Sequence, residues 1–175
     1  FIPSATENGA VRLKLPMPRF TPSSPVNRRA LPFLPGTILF FWLLDACLPA
    51  MREAGRGAVV VPTSATALRS SSHPIAGYEM ARAAQLQLVR TVAREVAGDG
   101  VPVNAVAPNF IENPSYFPPE TVSDPAFVEA VRREVPAQRL GSGAEAAATV
   151  FWLASPEASY VHGAVLPVDG GWRLG

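Results

Sequence analysis

One feature constrains the chain more than any other. Short apolar runs rich in β-branched residues alternate with long stretches of helical period. Ala58-Val59-Val60-Val61 is the first such run; it follows Gly57 and suits a strand buried on both faces. Pro62 removes a ladder donor, so the strand is expected to fray there. Residues 76–97 read as the strongest helix. Met80, Ala84, Leu86, Leu88, Val89, Val92 and Val96 supply its apolar face, and Gly98-Asp99-Gly100 stops it. Val101–Ala107 reads as a second strand and His162–Val168 as a third, closed by Asp169-Gly170-Gly171. Between them, Asp124-Pro125 supplies an N-cap and an N1 proline for a helix over 125–134. Ser142 and Glu145 have capping-box spacing for a helix through Ala154. Upstream, residues 37–54 read as a helix with Leu39, Trp42, Leu43, Ala46, Cys47 and Met51 on its apolar face. Alternation of this kind predicts right-handed βαβ crossovers and a parallel α/β sheet with helices on both faces.

Composition narrows the function. At 175 residues there is room for one domain. Hydrophobic residues at 48% against 17% charged argue against a disordered chain. A net charge of +1 without any Lys/Arg block argues against nucleic acid as a partner. The single cysteine, Cys47, excludes a disulfide framework and a multi-cysteine zinc site, and no metal is expected. Cys47 itself reads as a small core residue. The apolar run Ile38–Leu44 is too short to span a bilayer, and no signal-peptide pattern opens the chain. A cytoplasmic protein with no membrane partner is the expectation.

Residues 1–36 differ from the rest. They hold seven of the 19 prolines, and their charge is +4, from Arg12, Lys14, Arg19, Arg28 and Arg29 against Glu7. They read as a Pro-rich basic arm without a packed core, apart from a short strand pattern at Val11–Leu15. The partial α/β domain is placed at 37–175.

Three residues offer chemistry together. Tyr78 and Arg82 lie four apart and share a helix face. Ser64 lies at the C-terminal end of the preceding strand, where open parallel sheets bind their ligands. A guanidinium beside a phenol favours the phenolate, which can take a proton from a hydroxyl that the serine holds. On spacing alone, an incidental surface pair and a turn serine carry more weight. Gly141–Ala146 fits a loose Gly-x-Gly-x-x-Ala fingerprint but follows no strand, so a capping box explains it better. The lone histidines, His73 and His162, are assigned no role.

Gly57–Ser64, Tyr78–Arg82, Val103–Pro108 and Tyr160–Gly171 together resemble the short-chain dehydrogenase/reductase superfamily in order and spacing, from about residue 40 to 173. The resemblance implies a Rossmann-like sheet whose N-terminal βαβ units are missing or truncated here. Three departures stand out: Arg82 where dehydrogenases carry lysine, Asn109 where a glycine is usual, and Asn113 where a threonine touches the nicotinamide. With Pro108–Pro118 they resemble the halohydrin dehalogenase branch.

That resemblance implies a lyase that turns vicinal haloalcohols into epoxides and halide, or opens epoxides with small anions, without a nucleotide cofactor. It makes Ser64, Tyr78 and Arg82 catalytic. Pro108, Asn109, Phe110 and Ile111 would line a halide nest, with Tyr116 and Phe117 as its apolar wall. The partners implied are a haloalcohol or epoxide, a halide or other small anion, and further copies in a homo-oligomer, a dimer or tetramer. The alternatives are an NAD(P)-dependent short-chain oxidoreductase and an inactive truncated remnant.

Overall fold

The structure, a computed structural model, describes residues 34–72 and 75–175. The expected arm, except its last three residues, and His73 lie outside the described residues. The elements are α1 (Leu34–Ala54), β1 (Val59–Pro62), α2 (Ala76–Val96), β2 (Val103–Pro108), α3 (Pro119–Val122), α4 (Pro125–Glu134), α5 (Gly143–Leu153) and β3 (Val165–Val168), with short 3-10 turns between them. The strands form one parallel sheet in the order β1-β2-β3. Both α2 and the α3–α5 segment are therefore crossover connections. This is the expected Rossmann-like α/β architecture.

Pro62 does not fray β1. It pairs with Val106, and the strand runs one residue further than expected. The ladder donors on either side are Val59, bonding to Pro102, and Thr63, bonding to Val106. Donors to β2 recur every second residue along the strand, and Pro62 occupies an alternate position whose N–H would point away from β2, so proline loses nothing there. The segment 108–124, which holds four prolines, is not irregular throughout. It contains α3 and a bridge between Ile111 and Gly141.

The core lies between the sheet and the helix pair α1 and α2. Val61, Val103 and Ala105 meet Leu86, Val89, Val92, Ala93 and Val96 there. Burying each valine or leucine fully contributes about 1.5–3 kcal/mol. Helix α2 ends as its sequence predicts, at a 3-10 turn over Ala97–Asp99 capped by Gly100 with φ 71°, a conformation that favours glycine. On the other side, α5 packs on β2 and β3. Its capping box is present in both directions, from Ser142 to the Glu145 N–H and back.

Two apolar faces are phased differently from expectation. On α1 the inward stripe is Phe40, Leu44, Leu48 and Met51, while Leu39, Trp42, Leu43, Ala46 and Cys47 point outward. Cys47 is exposed rather than a core residue. The helix is apolar nearly all round, so its composition does not fix which stripe turns inward. On α2, Met80 and Ala84 are exposed, and the buried stripe begins Gly77, Ala81, Gln85. A glutamine has taken a core position.

Candidate active site

The site forms where β1 ends against the first turns of α2. Thr63 and Ser64 are both buried at that end. Thr63 Oγ1 donates to the Arg82 carbonyl at 3.1 Å, which fastens the strand to the helix across 19 residues of sequence. Ser64 has extended backbone, φ −156° and ψ 145°, and caps the 3-10 turn Ala65–Ala67. Its Oγ accepts from the Thr66 N–H at 3.3 Å and lies 3.0 Å from Thr66 Oγ1. One rotamer of Ser64 is thereby held in place.

Tyr78 and Arg82 stack one turn apart on α2. The guanidinium carbon sits 4.8 Å from the centre of the tyrosine ring, within cation–π range. Arg82 Nη1 donates to Gln85 Oε1 at 3.0 Å, and its Nε is buried with no hydrogen-bond partner. The structure thus places Tyr78 against Arg82, and it ties Arg82 through its carbonyl to Thr63, the residue before Ser64, at the C-terminal end of β1. The loop between them is tied down by the Ser71 N–H, which donates to Glu79 Oε1 at 2.7 Å. Sequence reading missed Thr63, Thr66 and Gln85. The signals were present: hydroxyls flanking Ser64, and a polar residue three after Arg82 on its helix.

The Pro108–Phe117 segment is built differently. The Asn109 N–H donates to the Val168 carbonyl at 3.1 Å, and the Phe110 N–H to Asn109 Oδ1 at 3.0 Å. Two of the three donors of the expected nest, those of Asn109 and Phe110, are thereby occupied. Ile111 bridges to Gly141, with the Glu112 N–H donating to the Gly141 carbonyl and the Gly141 N–H to that of Phe110. Asn113 makes a turn: its Oδ1 accepts from the Ser115 N–H, and its carbonyl from Tyr116 and Phe117. Pro108 is the last residue of β2. Phe110 and Phe117 stack at 6.2 Å, and Phe117 meets Phe127 at 5.4 Å. Phe110 also leans on Trp172 at 6.4 Å. Phe117 is thus part of a packed aromatic cluster, while Tyr116 is 66% exposed. A cavity of about 100 Å³ lies beside Phe110 and Ile111, bordered by Arg139, Glu145 and Asp169.

Glu145 is the clearest electrostatic feature. Hydrogen bonds from Arg139 and from the Ser142 N–H hold its carboxyl down at about 2, and the same pairing raises Arg139. The pair stands at the start of α5, away from Ser64 and Tyr78 in the sequence, and serves the helix cap. His162 Nε2 lies 3.2 Å from the Ser159 carbonyl.

A parallel sheet with serine, tyrosine and a basic residue at this edge defines the short-chain dehydrogenase/reductase class. The sequence model described as enoyl-(acyl carrier protein) reductase matches residues 38–173, and the chain belongs to that family. It is 37% identical over 134 residues to the 3-oxoacyl-(acyl-carrier-protein) reductase FabG of Vibrio cholerae, covering 77% of this chain and 53% of that protein. A solved structure described as a dehalogenation enzyme superposes with TM-score 0.73 at 38% identity, covering 77% of this chain and 55% of that one. A putative 2-deoxy-D-gluconate 3-dehydrogenase from Agrobacterium tumefaciens with bound NADP superposes with TM-score 0.69 at 32% identity, covering 78% and 55%. The chain spans about half the length of the curated relatives it matches.

These findings correct the expected activity. The family and the curated relatives are reductases and dehydrogenases, including the mycobacterial reductase MabA, so the haloalcohol-lyase reading gives way to the oxidoreductase alternative. The haloalcohol, epoxide and halide partners fall with it, and so does the reason for expecting no cofactor. The occupied donors of Asn109 and Phe110 agree with that correction. Among the described residues, no helix is long and apolar enough to cross a membrane.

Proposed function

We propose that this chain carries the proton-transfer side of an NAD(P)-dependent short-chain oxidoreductase acting on a carbonyl/alcohol pair. The observation that carries the reading is the Tyr78–Arg82 stack, fastened through Thr63 to the strand end that carries buried Ser64, in a chain whose family is one of reductases. The residues present suit one end of a nicotinamide cofactor. Arg82 Nε is a buried donor without a partner, and a ribose hydroxyl is the kind of acceptor that would satisfy it. For the adenosine end, no Gly-x-Gly-x-x-Gly turn from strand to helix exists among the described residues. Arg82 would therefore hold the cofactor at its reactive end, where the nicotinamide supplies hydride chemistry.

The chain's own residues handle the oxygen and the proton. The Ser64 hydroxyl, held by Thr66, donates a hydrogen bond to the substrate oxygen and orients it. The Tyr78 hydroxyl holds the proton that this oxygen gains on reduction and recovers it on oxidation. The Arg82 guanidinium over the ring stabilises the negative charge left on Tyr78.

Carbonyl-dependent oxidation of NADPH or NADH is the test, with a short 3-oxoacyl thioester first, since the Vibrio relative is named for that class. Tyr78→Phe is expected to lower kcat by ~10²–10⁴-fold, the usual share of a positioned acid. Binding of reduced nicotinamide mononucleotide, followed by ligand-detected NMR, should persist in that variant. Undiminished turnover by Tyr78→Phe would overturn the assignment.

A further inference from the structure

We infer that Gln85 is a positioning residue that locks the Arg82 guanidinium onto the face of Tyr78. The inference rests on the reading of Tyr78 and Arg82 as the proton-transfer pair and adds the group that fixes their geometry. Gln85 is 3% exposed and occupies a core position of α2 among Ala81, Leu86 and Val89. A polar amide at such a position is costly unless it is hydrogen-bonded, and a leucine or valine would serve packing better. Its Oε1 accepts from Arg82 Nη1 at 3.0 Å.

That bond decides how the arginine lies. The side chain has long stem torsions and a planar fork, and unrestrained it would extend its charge into water. With Nη1 held by Gln85, three residues further along the helix, the guanidinium carbon lies 4.8 Å from the centre of the Tyr78 ring. The same pose leaves Nε buried and unpartnered. A freely chosen rotamer would not leave that donor unmet, so the pose is imposed by its neighbours. Thr63 fixes the backbone beneath, through the Arg82 carbonyl, but places no constraint on the guanidinium. Gln85 therefore supplies the side-chain half of the clamp.

The test reads the arginine directly. Arg82 Nε–H is assigned in a ¹⁵N-labelled protein by its disappearance in Arg82→Lys. In the wild type it should be shifted upfield by the ring current of Tyr78 and be slow to exchange with solvent. Gln85→Met keeps the length and apolar volume but removes the acceptor, and should erase both signatures while the circular dichroism stays native. Gln85→Glu keeps the acceptor and should retain both. If Gln85→Met fails to fold, Gln85→Ala, which adds no bulk, takes its place. In the carbonyl assay, Gln85→Met should lower kcat roughly tenfold, the scale of one hydrogen bond to a charged group, with KM little changed. An Arg82 signal in Gln85→Met that matches wild type, in shift and exchange, overturns the inference. Wild-type protein that reduces no carbonyl overturns the functional reading instead, and the NMR result still decides the role of Gln85.

Discussion

The turn around Ser64, Tyr78 and Arg82 and the loop from Pro108 to Phe117 both attract attention in the sequence, yet they are built on opposite plans. In the first, polar side chains make the contacts, Thr63 donating to the Arg82 carbonyl across elements and Arg82 to Gln85 within α2, and the buried Arg82 Nε is left open. In the second, the backbone donors of Asn109 and Phe110 are met, by the Val168 carbonyl on β3 and by Asn109 Oδ1. The rings of Phe110, Phe117, Phe127 and Trp172 pack together there, and the open donor is an indole N–H enclosed by that packing. Aromatic residues in a long loop therefore mark packing when the surrounding backbone closes on itself. The open donor of a half-buried cation at the end of β1 is placed to meet a ligand, whereas the indole N–H enclosed among rings is a cost of packing.

The largest effect that can break this comparison is on turnover. Tyr78→Phe removes only a hydroxyl and should lower kcat by ~10²–10⁴-fold with an unchanged melting temperature. Phe117→Leu should do the reverse, with a lower melting temperature and kcat within about threefold of wild type. Steady-state kinetics and thermal melts on the two variants check both arms. If Phe117→Leu lowers kcat as much as Tyr78→Phe, the loop belongs to the site and the contrast is false.

The next effect is on stability. Trp172 is 3% exposed, is covered by the Arg69 guanidinium at 4.6 Å from its ring, and joins the cluster formed with Ala65, Val131 and Val135. Trp172→Ala should cost about 3–5 kcal/mol in denaturant unfolding. Its indole N–H is buried without a partner, so Trp172→Phe should cost much less, because that variant removes the unmet donor along with part of the ring. Equal losses for the two would show that the N–H is satisfied in solution.

A third, intermediate effect concerns α1. Its outward face carries Ile38, Leu39, Phe41, Trp42 and Leu43, each about half exposed or more. Such a contiguous apolar face calls for a partner, and we propose a homo-oligomer that covers it. Light scattering at micromolar concentration should give a multiple of 18.6 kDa, reduced to the monomer by Trp42→Glu. A monomeric wild type would remove the proposal.

Much of the fold is legible in the sequence because its signals are local. The valine runs, the Asp124-Pro125 start, the capping box and the glycine stop at Gly100 each act within a few residues. The phase of α1 was not legible, since Leu39 and Phe40 are equally apolar and only packing against α2 distinguishes them. The trio was legible as a spacing, but Gln85 was not. Its role depends on burial, and a glutamine in a helix usually faces water. The activity is not legible in the sequence, because Arg82 and Asn109 resemble markers of the dehalogenase branch. In the structure Arg82 is a stacked cation with a donor to spare, and Asn109 ties its own loop.

The smallest effect expected is on the pH dependence of stability, and it isolates the rim that neither region controls. Glu145 is held at about 2 in the folded chain by Arg139 and by the Ser142 N–H, against an ordinary value of 4.5. A carboxyl depressed on folding stabilises the folded state at pH above its unfolded value. That contribution shrinks as the pH falls from about 4.5 toward about 2, where the folded carboxyl is protonated as well. The pair is exposed, so solvent screens it and the change should be modest and weaker in high salt. Glu145→Gln keeps an acceptor for the helix cap but carries no titrating charge. The gap in melting temperature between wild type and Glu145→Gln should therefore be constant from pH 7 to pH 5.5 and close below pH 4.5. A gap that widens on acidification would mean that the carboxyl is not held by Arg139, and that the cap rather than the ion pair sets its state.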